Sequence, residues 1–383
     1  MWWIREWLKL NKAHRPRLIT MSTCRNIELS GLFITNSPSF HIVPDHVENV
    51  YMHDFEIYVD SWGQLELSRL FSKQSLMTPM FDEAIGFAGI ELPTNALNTD
   101  GIDIAGRNAT FRRIKITNWD DAIVPKPSHQ GHPFTNCTQD ILVEDIEVTY
   151  GVGMSIGSVP PNSEVNCVKD VIFRNVNFNM PMKGIYIKTN PGTGLGVIRN
   201  ITYENIVMHY PVWWGVYIGP QQMKEPGGDG PGCLLYPLTA CETQPLVTIS
   251  DITLRNVTSY GSILPAGILR CNASNPCKNF VFEDVVLKSP VWDALGYGFI
   301  SEYIEGTVTN SFPDPGFKPV GYFDDPANLA ATPRDYQNLF AQEDFMYNYL
   351  KHIMKNRDPI KIITEMMLSN YSIKTIAETI LSN

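Results

Sequence analysis

The sequence predicts an all-β protein, a single-stranded right-handed parallel β-helix with a short α-helical extension at its C-terminus. Two short phrases of alternating polar and apolar residues recur along the chain and run in step with each other. Alternating segments rich in Val, Ile, Phe and Tyr are typical of strands, and two or more strands per repeat indicate a solenoid. Coils of a parallel β-helix stack ~4.8 Å apart, which is the spacing of strands in a sheet.

The first phrase sets an Asn or Asp before an apolar, polar, apolar run. Asp140, Asp170 and Asn200 hold the same place in three copies and are thirty residues apart in each step. This constant step predicts that the three residues lie one above another in successive coils. Copies of the phrase occupy residues 25–29, 48–52, 139–143, 169–173, 199–203, 250–254 and 278–282.

The second phrase has a small residue in its second position, followed by an alternating run, which predicts a tight bend into a strand. The offsets between its copies are 21, 31, 31 and 31 residues. Together the two phrases predict which residues of neighbouring coils share a column. Copies of the second phrase begin at Asp100, Asp121, Val152, Lys183 and Trp214.

The repeat divides the chain into three predicted parts. Residues 1–25 are a truncated N-terminal segment, 26–312 are the β-helix, and 313–383 are a C-terminal extension that is partly helical. Between residues 65 and 97 the register is lost, and the apolar segment 84–90 has no place in the repeat. In the extension, a cap and a first-turn proline open a helix whose apolar residues recur at helical spacing, which predicts packing against the solenoid end or a partner. These residues are Asp358, Pro359, Ile360, Ile363, Met367, Ile373, Ile376, Ala377 and Ile380.

Composition and charge exclude several functional classes. Of the 383 residues 44% are apolar and only 18% charged, so the chain can bury a large core and polar uncharged side chains cover much of its surface. The net charge of -10 argues against nucleic acid as a partner, because phosphate binding needs basic patches. No stretch is long and apolar enough to span a membrane. The charge-broken segment from Met1 to Trp7 does not look like a signal peptide.

The cysteines favour disulfides and an oxidising compartment, because the seven of them show no CxxC or Cys/His zinc spacing. Cys137 and Cys167 each precede a repeated Asp by three residues, so they should lie one above the other. They form either a disulfide or two buried free thiols. Sequons, which suit a glycosylated secreted protein, begin at Asn108, Asn136, Asn200, Asn256, Asn272 and Asn370.

Three carboxyl groups form the candidate catalytic site. Asp100 and Asp121 open adjacent copies of the second phrase, and Asp120 directly precedes Asp121. Both members of the doublet can face one cleft only if the backbone bends there. Crowded carboxyls raise one another's pKa, so one can stay protonated as a general acid while others stay ionised and orient water, as in inverting glycoside hydrolysis. The alternative is that all three are ordinary turn residues.

Four segments taken in order resemble glycoside hydrolase family 28, the polygalacturonases and their pectin-cleaving relatives. They are residues 98–103, 120–123, 151–158 and 186–189, and the similarity extends over about residues 14 to 300. The resemblance implies a pectin-lyase-like solenoid with 26–312 as its catalytic domain. It also implies inverting cleavage of α-1,4-galacturonosidic bonds in a pectic polysaccharide, by an extracellular monomer without a metal or cofactor.

Within this resemblance each site residue receives an expected role. Asp120 is the general acid, while Asp100 and Asp121 activate the water. Expected substrate contacts are Asn98, Lys126, Tyr186 and Lys188, with both lysines on the surface.

Two positions depart from the family pattern. Val152 stands where a histidine is usual, and Tyr186 replaces an arginine that, with Lys188, should grip a uronate carboxylate. A tyrosine cannot make that bidentate, charge-assisted contact. A rhamnogalacturonan or xylogalacturonan hydrolase therefore stays an alternative, as does a catalytically inactive glycan-binding relative. An N-terminus that starts later than is usual in the family adds weight to the inactive relative. A calcium-dependent pectate lyase is disfavoured, because its basic catalytic residue and calcium ligands have no counterpart.

Weaker candidates lie outside these motifs. His41, His46 and His53 lack a carboxylate or cysteine that would complete a metal site. Residues 192–196 lack the ending of a phosphate loop and are interpreted as a turn. Tyr186, Trp213, Trp214 and Tyr217 either stack on sugar rings or pack loops.

Overall fold

The computed structural model describes residues 15–61, 96–128, 133–161, 165–222, 241–262, 264–289 and 298–329, together with Trp3, Gly63 and Asp293. Residues 13–59 and 97–336 form one compact unit, and residues 1–12, 60–96 and 337–383 form another. The first unit contains all the strands of the described residues. The apolar segment 84–90 and the helices predicted beyond residue 357 lie outside the described residues. No helix in the described part of the chain is long and apolar enough to cross a bilayer.

The described residues form seventeen strands, a 3-10 turn at Tyr322–Asp324 and one short helix, α1 (Pro326–Leu329). The strands are β1 (Ile19–Ser22), β2 (Arg25–Ser30), β3 (Phe33–Thr35), β4 (Ile42–Tyr58), β5 (Ile102–Asn118), β6 (Ile123–Pro125), β7 (Gln139–Tyr150), β8 (Met154–Val159), β9 (Asn166–Asn179), β10 (Ile185–Thr189), β11 (Gly196–His209), β12 (Val216–Gln221), β13 (Val247–Tyr260), β14 (Gly267–Arg270), β15 (Cys277–Leu287), β16 (Phe299–Glu302) and β17 (Ile304–Thr309).

These strands build a right-handed parallel β-helix, which confirms the predicted fold. Long strands pair with long strands of the next coil, from β4 and β5 through to β17, and short strands pair from β6 to β16. Ile141 pairs with Val171, and Val171 pairs with Ile201, which is the predicted thirty-residue step. In the second phrase, Ile102 of β5 pairs with Ile123 of β6, and Ile123 pairs with Met154 of β8. These pairs have the predicted offsets of 21 and 31 residues.

Left-handed backbone at Asn and Asp residues bends each long strand into successive faces. In β9, Asp170 has a φ of 54° and Asn175 has a φ of 54°, and equivalent residues adopt the same conformation in the neighbouring coils. Asn and Asp tolerate this region better than most residues, because their short polar side chains bond locally. The repeated Asn or Asp of the first phrase is therefore a corner residue.

The corner side chains also bond to one another from coil to coil. Asn200 Nδ2 donates to Asp170 Oδ1 at 2.7 Å, and Asn175 Nδ2 donates to Asp145 Oδ1 at 3.0 Å. Asn256, which begins a predicted sequon, donates its amide to Asn205 Oδ1 at 2.8 Å, and Asn200 also begins a sequon. Some sequons thus arise because a corner Asn is followed by an apolar residue and a Thr. Glycosylation stays a prediction.

The interior is filled by apolar side chains stacked in columns along the coils. One column contains Met52, Phe111, Val143 and Phe173, and each of these side chains is fully buried. The Phe173 ring stacks on the Tyr203 ring of the next coil at 4.8 Å between centroids. Because each coil packs its inward side chains against those of the neighbouring coils, the stacking of coils creates the buried core.

Two disulfides join cysteines of the described residues. Cys137 and Cys167 form a disulfide with a Cα–Cα distance of 4.6 Å, so the disulfide alternative is confirmed over free thiols. A second disulfide joins Cys271 to Cys277 within one turn. Cys24 is a free thiol.

The corner at Asn175 provides a test of the ladder. We expect Asn175→Ala to be about 1 kcal/mol less stable than Asn175→Gly, because both lose the side-chain bonds but only alanine is strained at positive φ. Thermal unfolding of both variants measures the difference. Asn177→Ala, at an exposed position of the same strand with negative φ, is the control and should change little. Equal stability of the Ala and Gly variants would argue against a conformational role for the corner.

Candidate active site

The candidate site lies on the outer face of the sheet formed by the short strands. Asp103 pairs with Val124, Ser155 pairs with Tyr186, and Tyr186 pairs with Tyr217. Their side chains alternate with the inward residues of the same strands and lie outside the interior cluster. All five are nevertheless buried, so the side chains of this column lie in a medium where charges interact strongly.

Three carboxyl groups meet at the start of these strands. Asp100, Asp120 and Asp121 each have an oxygen within 4.8 Å of an oxygen of the other two. The coils that carry them are joined by a backbone bond in which Gly101 N donates to Asp121 O at 2.9 Å. The predicted shared column thus brings the three acids together, and the chain bends at Asp120 as the doublet requires.

Backbone carbonyls of the doublet are held by groups of two neighbouring coils. Asn118 Nδ2 donates to the carbonyls of Asp120 at 2.9 Å and Asp121 at 2.8 Å. Val152 N donates to Asp120 O at 2.9 Å, so the residue that replaces the usual histidine contributes through its backbone. Asn118 was missed by the sequence analysis, although it is the last residue of β5 and lies two positions before the doublet.

Asp120 accepts two backbone N–H groups and lies in a surrounding that favours its protonated form. Asn98 N donates to Oδ2 at 3.1 Å, and Asp121 N donates to Oδ1 at 2.9 Å. Burial and then the negative charge of Asp121 raise the pKa of Asp120 above its ordinary value, against the opposing effect of Lys188. The side chain of Asn98 points elsewhere, since its Oδ1 accepts from Arg15 Nη2 at 2.6 Å.

Asp121 is in the opposite state. Ser155 Oγ donates to its Oδ1 at 2.5 Å, and Lys188 Nζ donates to its Oδ2 at 2.6 Å. Burial opposes ionisation, but the charges of Lys188 and Lys126 outweigh it and lower the pKa of Asp121. The expectation that Lys188 lies on the surface is wrong, because it is 3% exposed and its ammonium is bound to this carboxylate.

Among the three acids, Asp100 has the pKa that is raised most. Burial, followed by the charges of Asp120, Asp103 and Asp121, raises its pKa well above the ordinary value. Its Oδ1 has no hydrogen-bond partner among the described residues. Asp103 Oδ1 is unpaired in the same way, so the cluster contains two buried carboxyl oxygens without a hydrogen-bond partner among the described residues.

A buried histidine fixes the backbone beneath Asp100. His41 Nε2 accepts from Ser37 N at 3.3 Å, so its Nδ1 carries the proton and donates to Asp100 O at 3.0 Å. Burial lowers the pKa of His41 to about 4, which keeps it neutral. The three histidines do not form a metal site, since His46 and His53 are bonded to Asp45 and Asp54.

Asp103 and Lys126 form an ion pair that extends the charged cluster. Lys126 was predicted as a site residue, and Asp103 was not. Lys126 Nζ lies 3.3 Å from Asp103 Oδ2 and 3.9 Å from Asp121 Oδ2. Burial raises the pKa of Asp103 to about 6 even with Lys126 beside it. The alternation of the second phrase, which turns Asp103 to the same face as the column of Ser155, is the signal that could have identified it.

Tyr186 is buried between two lysines. The ammonium of Lys183 lies 4.1 Å from the centre of its ring and that of Lys188 lies 4.6 Å away. The Tyr186 hydroxyl has no hydrogen-bond partner in the described part of the chain. Burial and the charge of Lys188 lower the pKa of Lys183 to about 7. Lysine cations and an aromatic face thus occupy the region where the family pattern has an arginine.

Aromatic residues of the neighbouring coil are buried rather than exposed. Trp214 and Tyr217 are each fully buried, which is what the loop-packing interpretation predicts. Trp119, which precedes the doublet, stacks on Tyr150 at 4.8 Å between centroids.

The spacing of the three acids alone would suit a cation. Asp121 Oδ2, however, is already bound by the Lys188 ammonium at 2.6 Å, and a metal would compete for the same lone pairs. Asp100 and Asp120 have raised pKa values, and protonated carboxyls are poor ligands. The donor set therefore fits acid and base chemistry better than metal binding.

Fold and cluster together define the chain as a parallel β-helix protein with a buried group of acidic residues on the face of its short strands. The family model of glycosyl hydrolases family 28 matches residues 1–294. The chain therefore belongs to this family, as the sequence resemblance predicts.

Several relatives and solved structures are similar to the chain. The probable rhamnogalacturonase C of Aspergillus niger is 24% identical over 88% of this chain and 59% of the relative. The polygalacturonase of Cryptomeria japonica is 26% identical over 75% of this chain and 46% of the relative. The chain thus spans about half the length of the curated relatives it matches.

Two solved structures share the fold. The polygalacturonase from Erwinia carotovora superimposes with a TM-score of 0.55 at 22% identity, covering 80% of this chain and 64% of its own. The endo-xylogalacturonan hydrolase from Aspergillus tubingensis gives a TM-score of 0.52 at 18% identity, covering 83% of this chain and 71% of its own. At these identities the likeness concerns the fold alone.

His41 should make stability depend on pH. Because its folded pKa of about 4 lies below its unfolded value, the unfolded chain binds more protons between about pH 4 and 6.5. The free energy of unfolding should therefore rise by about 3 kcal/mol across that window, a contribution that His41→Asn removes. Urea unfolding at several pH values measures the slope, with His46→Asn as the exposed control. Parallel profiles for the wild type and His41→Asn would contradict this assignment.

Proposed function

We propose that the protein hydrolyses α-1,4-galacturonosidic bonds of pectin with inversion. The observation that carries the proposal is that Lys188 Nζ binds Asp121 at 2.6 Å, while adjacent Asp120 has no ammonium bonded to it among the described residues. This contact lowers the pKa of Asp121, and burial raises that of Asp120. Environments that separate the pKa values of neighbouring acids are the usual basis for dividing acid and base roles.

In this proposal Asp120 transfers its proton to the glycosidic oxygen as the bond to the anomeric carbon breaks. A water between Asp100 and Asp121 adds to the anomeric carbon and passes its proton to ionised Asp121, which Lys188 and Lys126 keep charged. Solvent then reprotonates Asp120 and takes the proton from Asp121. The titration belongs to the coupled group rather than to single residues.

The lysines act first on the acids and only then on substrate. Lys188 is committed to Asp121, while the Lys126 side chain is 30% exposed and so retains a face for a sugar carboxylate. Substrate contacts by Asn98 and Tyr186 remain proposals, and a contact by Asn98 would run through a side chain that is already bonded to Arg15.

A second substrate class is favoured by one observation. Tyr186 is 1% exposed and supplies no cation where a uronate-binding arginine is expected. A subsite with a weaker demand for negative charge suits a rhamnogalacturonan or xylogalacturonan backbone, in which a neutral or branched sugar can occupy that place. An extracellular location fits the disulfides, which persist in oxidising compartments.

We expect Asp120→Asn to lower turnover by at least about 100-fold, because the amide cannot donate the proton that the leaving oxygen needs. Reducing-sugar release from polygalacturonate and from rhamnogalacturonan measures the rate and identifies the preferred backbone. Asp140→Asn is the matched control, since Asp140 is an exposed corner residue at a place where other coils carry Asn. A wild-type rate in Asp120→Asn refutes the acid assignment, and a folded wild type without activity on either polymer supports the inactive relative.

The stereochemistry of the cleavage is a separate part of the proposal. Inverting enzymes usually separate their carboxyls by ~6.5–9.5 Å, and these oxygens approach within 4.8 Å. Ser155 and Lys188 each bind one oxygen of Asp121, which fixes the carboxylate in place while each oxygen keeps a lone pair that can accept a proton from water. We expect the β-anomer to form first from the α-linked substrate, as followed by proton NMR during the first minutes. Initial release of the α-anomer would rule out inversion.

A further inference from the structure

A groove of about 280 Å³ opens next to the carboxyl cluster, on the side of the N-terminal coils. Lys126 lines this groove and also lies 3.9 Å from Asp121 Oδ2, so the groove and the cluster share a wall. Its volume is near the lower end of the ~300–1,000 Å³ usual for small-molecule sites, which suits a single sugar ring. The groove is lined by Arg17, Phe40, Val43, Pro44, Asp45, Asp103, Ala105 and Lys126.

Apolar side chains form one wall of the groove. Val43 is buried, Pro44 is buried and Phe40 is half-buried. The C–H face of a pyranose ring can pack on such a surface, while the hydroxyls and any carboxylate turn towards polar groups.

Two cations, Arg17 and Lys126, and two carboxylates, Asp45 and Asp103, line the groove. Lys126 is paired with Asp103 at 3.3 Å, and Asp45 faces His46 at 2.9 Å. The Arg17 guanidinium lies 5.3 Å from the centre of the Phe40 ring and has no carboxylate partner among the described residues. Stacking on a ring holds a guanidinium in place while leaving its N–H groups free for a planar anion.

We propose that this groove is a subsite for a uronic acid ring, and that the Arg17 guanidinium binds the carboxylate of that ring. The inference rests on the proposed function and deepens it, because it names the sugar chemistry recognised beside the cleaved bond. Arg17 is then a specificity-determining residue that distinguishes a free uronate from its methyl ester. It supplies a cation on the opposite side of the cluster from Tyr186.

The test uses the full chain carrying Asp120→Asn, so that binding is measured without hydrolysis. Titration calorimetry compares trigalacturonate with its methyl ester in this parent, in the parent with Arg17→Met, and in the parent with Arg199→Met. Arg199 is exposed on β11, makes no ion pair in the described part of the chain and does not line the groove. Adding Arg17→Lys tests charge without the planar fork.

We expect Arg17→Met to weaken trigalacturonate binding about tenfold and to leave the methyl ester unchanged, because only the acid form can make the charge-assisted bond. Arg199→Met should match the parent, and Arg17→Lys should fall between the parent and Arg17→Met. In about 1 M salt, where the Debye length is ~3 Å, the Arg17 effect should shrink.

Equal loss for acid and ester, or no loss for either, overturns the uronate subsite. Failure of the subsite and failure of the proposed function are distinguishable by the wild type. If the wild type hydrolyses polygalacturonate and Arg17→Met has the same KM for it, only the subsite is refuted. If the wild type neither binds nor hydrolyses any pectic substrate, the proposed function and the subsite both fall.

Discussion

Register between coils is the constraint on which everything else in this molecule depends. Asp100 and Asp121 are 21 residues apart and meet only because Gly101 N bonds to Asp121 O, so that Ile102 and Ile123 pair in the next step. A slip of one residue would turn every side chain of the strand to the opposite face. Such a slip would turn the isoleucines outward and the acids into the interior. The packing of the hydrophobic stack therefore also holds the carboxyls in place.

Electrostatic balance is the second level of control. Four carboxyls and three lysines occupy one buried region, yet only Asp121 has a lowered pKa. The reason is contact, since Asp121 has an ammonium at 2.6 Å while Asp100 has none bonded to it. One short ion pair thus lowers the pKa of Asp121, while burial raises the pKa values of its neighbours.

The fold was predictable to the level of register, because both phrases repeat without interruption over several coils. Residues 107–111 were not identified as a copy of the first phrase, because Ala109 stands where Ile or Val is usual. Ala109 nevertheless pairs with Val50 and Ile141, as the repeat requires. The carboxyl column followed from the same repeat.

What sequence could not give was burial on the outer face. Alternation marks Lys188 and Tyr186 as outward residues, and outward usually means exposed. The roles of Ser155 and His41 also escaped prediction, because they are bonds to residues of other coils, such as His41 to Asp100 across 59 residues. No spacing rule within one phrase carries that information.

The two departures from the family pattern leave the carboxyl geometry intact. At 152 the contact to Asp120 runs through a backbone N–H, which valine supplies as well as histidine does. At 186 the tyrosine ring packs against Lys183 and Lys188, and Lys188 still reaches Asp121. Neither change removes a group that holds the acids. We infer that the carboxyl cluster assembles despite both departures, because the contact at 152 is made by the backbone and Lys188 still binds Asp121.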